Sequence, residues 1–300
     1  MYRSAKRKAF IIIFFLLHAG VFYAGLFLFP AVQAFWYSLF SWRGFSDVKI
    51  FVGLKNFIEL ITRDENFWFS LRMNMAVLTV GGVITFAFAF LLTAMLSSGI
   101  KGKKFYRAMI FLPNTMAAVA VATIWGYIYN PRFGLIHGIF KVLGLEKMSK
   151  IAWMAPDKAM WSVMVAMVWV WIGFYTVLLL AGTDKIPKSL YEAARIEGAN
   201  RFQLFARITI PLIWEVIAVA IVLWTIGALK VFEFPYAISG INPPREIWTI
   251  GIYLFIMGFG KRNPVYRLGY ATAIGVVMLL IIVILAVVVQ RIFRRDTVEY

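Results

Sequence analysis

The residues with the clearest capacity for specific work lie in one polar stretch, Ile186 to Pro211, IPKSLYEAARIEGANRFQLFARITIP, set between two long apolar runs. Pro187 ends whatever helix precedes it. Ser189 and Glu192 have the spacing of a capping box, in which Ser189 accepts from the Glu192 amide and the Glu192 side chain reaches back to the Ser189 amide. Ala193 and Ala194 extend a helix with almost no side-chain bulk. Gly198 supplies the left-handed residue that closes it, and Asn200 with Gln203 repeats the capping spacing for a second helix. The product is a two-turn helix with a small, close-approach face. Connections between packed helices need only ~2–8 residues, so the added length points to a surface gripped by another protein.

Bond-breaking chemistry finds little support elsewhere. Gly99-Ile100-Lys101-Gly102-Lys103-Lys104 lacks the G-x-x-x-x-G-K-[ST] spacing of a phosphate loop. With no cysteine and two histidines, neither a metal-ligand cluster nor a nucleophile motif emerges. If the chain moves a solute uphill, the energy must come from a partner. An ion-coupled secondary carrier would need intramembrane carboxylates, and Glu215 is the only acid inside an apolar run. A non-transporting membrane scaffold is the third class open to the residues alone.

The elements that position these residues are membrane spans. Hydrophobic residues make up 62% and charged residues 15% of the chain, against ~45–50% and ~25% in soluble domains. The net charge of +17 falls between apolar runs, where it orients the chain in a bilayer rather than binding nucleic acid. Apolar runs at about 10–40, 73–96, 108–129, 159–182, 208–229 and 268–290 predict six helical spans in a single domain of residues 1–300. The first run follows Arg3, Lys6, Arg7 and Lys8, is too long for a cleaved leader, and should tilt or break near Pro30 before an aromatic belt of Phe35, Trp36, Tyr37, Phe40 and Trp42. His18, inside it, is expected to bond a neighbouring helix. A short interfacial helix is expected between Ser41 and Arg72, a kink at Pro113 one turn into the third span, and an interfacial or re-entrant piece over Glu246 to Gly260. Six spans put both termini on one side. Lys101, Lys103, Lys104, Arg107, Lys185, Lys188, Arg195, Arg201, Arg207, Arg291, Arg294 and Arg295 join the N-terminal cations there, and their density makes that side cytoplasmic.

Glu192-Ala193-Ala194, three residues, Gly198, nine residues and Ile208-Thr209-Ile210-Pro211 resemble the EAA signature of binding-protein-dependent ABC importer permeases, with Ile210 where leucine is usual. Similarity to the sugar-type permeases extends over nearly the whole chain, through VGLKNF at Val52 to Phe57, FYRAMIFLPN at Phe105 to Asn114, NPRFGLI at Asn130 to Ile136, FEFPYAIS at Phe232 to Ser239 and GYATAIGVV at Gly269 to Val277. The resemblance implies an all-α polytopic membrane bundle of the type I importer class, with residues 186–207 as a cytoplasmic coupling segment. By position, Glu192 would meet a basic group of an ATPase subunit, Ala193, Ala194 and Arg195 would lie in the contact, and Gly198 would make the turn. It further implies that this subunit is non-catalytic and holds no cofactor, ATP and Mg being bound by the partner ATPases. Two such ATPases, a second homologous permease and an external solute-binding protein would complete the complex in a prokaryotic plasma membrane. The expected solute is a mono- or oligosaccharide, with glycerol phosphate as the non-sugar alternative. Sugars are held by aromatic faces and a few hydrogen bonds, so Asn114, Trp125, Trp169, Trp171, Tyr175, Glu215 and Phe232 are the candidate pathway residues by type and depth.

Overall fold

The apolar periods become helices almost throughout, and the computed structural model describes residues 14–240, 242–260 and 265–294. From the N-terminal side, α1 (Phe14–Tyr37) leads into a two-stranded antiparallel ribbon of β1 (Phe40–Ser41) and β2 (Ile50–Phe51), then α2 (Lys55–Thr62) and α3 (Glu65–Ser97). After them come α4 (Lys103–Phe111), α5 (Ala118–Ile128), α6 (Leu135–Val142), α7 (Glu146–Ser149) and α8 (Pro156–Thr183). The chain continues through α9 (Lys188–Ile196), α10 (Arg201–Leu212), α11 (Trp214–Lys230), α12 (Glu233–Ser239), α13 (Ile250–Phe259) and α14 (Leu268–Phe293). Among the described residues, α1, α3, α8 and α14 are each long and apolar enough to cross a bilayer. The bent pairs α4–α5 and α10–α11 raise that number to six if each pair is one span.

Several boundaries differ from the sequence expectation, each for a local reason. α1 passes through Pro30 without breaking, because a wide π turn over Ala24–Leu28 holds the carbonyl that the proline ring would strike in a regular helix. The start of that run at Phe10, the cations before it and Arg295 lie outside the described residues. His18 Nδ1 donates to the Phe14 carbonyl at 2.7 Å within its own helix, not to a neighbour. α3 starts at Glu65 rather than Met73, since the intervening polar residues continue the helix. The third run does more than kink: around Pro113 a 3₁₀ turn over Leu112–Thr115 gives way to extended Met116 and Ala117, and α5 leaves at 97° to α4. The fifth breaks as well, at Ile213, two residues past Pro211, with a 73° bend. The ribbon β1–β2 was not expected. α13 has ten residues, too few to span.

The described residues form two compact units. In the unit drawn from residues 1–64 and 254–279, α1 buries none of its residues. Beyond it the Asn56 amide donates to the Ser38 and Phe40 carbonyls at 2.8 and 3.0 Å, fastening α2 to the ribbon. Arg267 grips both Glu59 carboxylate oxygens at 2.8 and 2.9 Å and lies over the Tyr270 ring, whose hydroxyl donates to Asp64. Gly269 packs where a Cβ would sit 1.9 Å from the Phe40 carbonyl oxygen.

The other unit, residues 65–253 with the chain after 280, contains a core of Val77, Ala89, Val163, Leu179, Ile217 and Trp224 from α3, α8 and α11. Between apolar helices in lipid, close packing of small residues supplies the attraction that water supplies elsewhere. Gly82 admits the Trp224 indole, whose Nε1 donates to the Leu78 carbonyl at 2.9 Å inside a second π turn at Val77–Gly81. Gly173 lets α8 touch α4 backbone to backbone, and a Cβ there would lie 2.0 Å from the Ile110 oxygen.

Candidate functional site

Two places in the second unit bring the candidate residues together. The first begins where α8 stops. Asp184 closes α8 through its amide, which donates to the Leu180 carbonyl at 2.9 Å. Its carboxylate meets Lys103 Nζ at 2.7 Å and Arg107 at 3.7 Å, joining the foot of α8 to the foot of α4. The sequence assigns the next helix a Ser189–Glu192 capping box, and that box does not form. Pro187, with φ −58° and ψ 133°, takes the N-cap position; α9 starts at Lys188, so Ser189 is already helical and no side chain caps this end. The other end follows expectation. Gly198 is left-handed at φ +85°, Ala199 N donates to Ala194 O at 2.9 Å and Gly198 N to Arg195 O at 3.0 Å, a complete Schellman motif. Asn200 and Gln203 then form the reciprocal box at 2.9 and 2.8 Å that starts α10.

These bonds fix α9 at its exit, and the Tyr191 hydroxyl shares a hydrogen bond of 2.9 Å with Thr209 to tie it back to α10. Glu192, Ala193, Arg195 and Gly198 are exposed, Ala194 is half-buried, and Ile196 is 88% exposed. An apolar side chain held open at the end of a rigid, short-sided helix is suited to insertion into another surface.

The second place is a cavity of ≈ 710 Å³ lined by α3, α5, α8, α11 and the turn into α12. Helical spacing puts Met167, Val170, Trp171 and Phe174 on one face of α8. α11 adds Leu223, Trp224, Gly227, Ala228 and Lys230, and the segment beyond it adds Phe232, Glu233 and Phe234. The break after Pro113 swings Asn114 into the wall. Tyr175 packs edge to face with Phe174 at 5.1 Å and with Trp224 at 5.7 Å, and Trp171 meets Phe174 the same way at 5.9 Å. Ring faces with a few polar groups can hold a ligand that carries both apolar and hydroxyl surfaces.

Of the residues proposed from type and depth, the structure gathers Asn114, Trp171, Tyr175 and Phe232 in this cavity and leaves three outside. Trp169 sits two residues from Trp171, on another side of α8, and is 40% exposed. Trp125 packs edge-on against it at 5.7 Å, its Nε1 buried without a hydrogen-bond partner. Glu215 is exposed in the first turn of α11, about two turns short of the first cavity residue of that helix. The sequence reading passed over Phe174, Trp224, Phe234, Lys230 and Glu233. Phe174 shares helical spacing with Trp171, one of the chosen residues, whereas Lys230 and Glu233 lie beyond the expected end of the fifth run.

A bundle of membrane helices around an aromatic cavity, with a capped helix held out at one end, defines a solute permease. This chain belongs to the family described as "binding-protein-dependent transport system inner membrane component", whose model matches residues 85–298. It is 33% identical to a probable ABC transporter permease of Bacillus subtilis, over 95% of this chain and 96% of that one. It is 35% identical to the diacetylchitobiose uptake system permease of Streptomyces coelicolor, over 89% and 77%. The fold is also that of a crystallised bacterial ABC transporter involved in the import of the acidic polysaccharide alginate, with TM-score 0.84, 21% identity and 99% of both chains covered.

Proposed function

We propose that this permease is the membrane subunit of an ATP-driven importer and that its solute is a mono- or oligosaccharide handed over by an external binding protein. One observation carries the reading: α9 is fixed at its exit by the Schellman turn and the Asn200–Gln203 box, yet its Glu192, Ala193, Arg195 and Ile196 side is uncovered. A helix built in this way is a contact surface, and the chain's lack of a phosphate loop assigns hydrolysis to whatever it contacts. Glu192, Ala193, Ala194, Arg195 and Gly198 therefore seat on a cytoplasmic ATPase that binds ATP and Mg, one of two in the complex. A second, similar permease completes the membrane pair, and both termini of this chain face the cytoplasm.

For the solute, six aromatic residues around Asn114, Lys230 and Glu233 suit a sugar, whose ring carries apolar CH faces between hydroxyls. The diacetylchitobiose relative supports the same class. Closure of the ATPase pair would move α9, and through α8 and α10 the walls of the cavity, between outward and inward access. The complex reconstituted in vesicles with its binding protein is expected to take up a member of a panel of neutral oligosaccharides only with ATP inside. The ATPase should co-purify with the wild type and be lost with Glu192→Lys. Uptake without nucleotide excludes the importer, and uptake of glycerol phosphate alone excludes the sugar.

A further inference from the structure

α11 stops and α13 starts in the interior of the second unit, and each end leaves backbone groups with no partner in its own helix. Both are met by one side chain. Asn74 of α3 is fully buried; its Nδ2 donates to the Ala228 and Leu229 carbonyls at 2.8 and 3.0 Å, and its Oδ1 accepts from the Ile250 amide at 2.8 Å. Only a primary amide offers two donors and an acceptor at this size, so leucine matches its volume and loses all three bonds. Thr249, also fully buried, donates from its hydroxyl to the Val231 carbonyl at 2.8 Å.

The bonded carbonyls lead directly into the cavity. Ala228, Val231, Phe232 and Glu233 line it, as does Val77, one turn beyond Asn74. A Cβ on Gly251 would stand 3.1 Å from the Phe232 Cβ, so the start of α13 braces the root of that aromatic residue. We propose that Asn74, assisted by Thr249, is a positioning residue that holds the Lys230–Phe234 wall of the cavity and thereby sets the affinity for solute. This rests on the reading of the cavity as the solute site. Backbone groups left open in an apolar interior are costly, so loss of the clamp lets α11 fray and the wall move.

The native chain has no cysteine, so a Glu233→Cys variant assembled with cysteine-free partner subunits carries a single trifluoromethyl label on the wall. In the complete complex in nanodiscs, the label is expected to give one narrow fluorine resonance, split or roughly doubled in width by Asn74→Leu as local opening becomes populated. Thr249→Val, isosteric and lacking only the hydroxyl, should produce a smaller change in the same direction and guards against misfolding of the first variant. An unchanged resonance in both variants overturns the clamp. In unlabelled complexes, Asn74→Leu should raise the uptake KM for the oligosaccharide taken up fastest by the wild type about tenfold, with basal ATPase activity retained. A broadened resonance with KM unchanged overturns the link to affinity if Trp171→Ala raises KM. If Trp171→Ala also leaves KM unchanged, the clamp stands and the cavity is not the solute site.

Discussion

The helix end at Ile196 and the helix end at Lys230 are finished in opposite ways. At Ile196 the open carbonyls of Ala194 and Arg195 are taken by amides three to five residues along the chain, and Gly198 makes the turn without steric cost. At Lys230 the open carbonyls of Ala228 and Leu229 are taken by Asn74, 154 and 155 residues away. The first end is autonomous and leaves its helix free to meet another protein. The second depends on the whole unit being folded, and in return it carries side chains that line the cavity. The exposed helix is locally specified in this chain, whereas a wall that must keep its shape is specified from a distance.

Glycine offers the sharpest way to test that contrast, because Gly173 and Gly198 serve different ends. A Cβ on Gly173 would lie 2.0 Å from the Ile110 oxygen, and backbone cannot give way. Gly173→Val is expected to cost several kcal/mol, above the ~1–3 kcal/mol of ordinary overpacking, seen as loss of monodisperse protein after detergent extraction. Gly198 has open space around it and only its φ of +85° to defend. Gly198→Val should cost about 1–2 kcal/mol of local stability and leave insertion intact while abolishing solute-stimulated ATPase activity. Gly198→Asn, which tolerates this conformation, should retain most of it. Full stimulation in the valine variant would remove the turn from the coupling role.

The smallest effects concern the caps. Asn200→Ala removes an observed box and should cost about 1 kcal/mol, read as faster hydrogen exchange at the Gln203 amide. Ser189→Ala removes no bond and should stay within about 0.5 kcal/mol, with exchange in α9 unchanged. Equal effects from the two would mean that the entry to α9 is capped by Ser189 after all.

What the sequence disclosed follows the same division. Gly198, Asn200 and Gln203 act on neighbours, so spacing alone located them. The expectation at Ser189 failed because Pro187, two residues earlier, fixes φ and claims the N-cap position. Helix existence was legible from apolar runs, but bend angles were not, since Pro113 states that a break is needed and says nothing of the extended residues that follow it. In the cavity, residue type selected aromatics correctly as a class. Their phase on α8 separated Trp171 from Trp169, and only packing reveals phase in a helix that is apolar on every side. Asn74 was invisible because its partners are backbone groups of no particular residue type.

The π turn at Val77–Gly81 gives the chain an uneven tolerance to insertion and deletion. Its wide i→i+5 winding stores one residue more than the α-helical turn it replaces. Deleting one residue there would restore regular winding and keep the helix beyond close to its present phase, whereas inserting one more would rotate everything beyond it by about 100° relative to Asn74. Gly82, Thr85 and Ala89 would leave the buried side while Asn74 stayed on it. The turn between Asn74 and Gly82 can give up the residue it stores, but it has no slack for another. In this part of α3, lengthening is under tighter constraint than shortening.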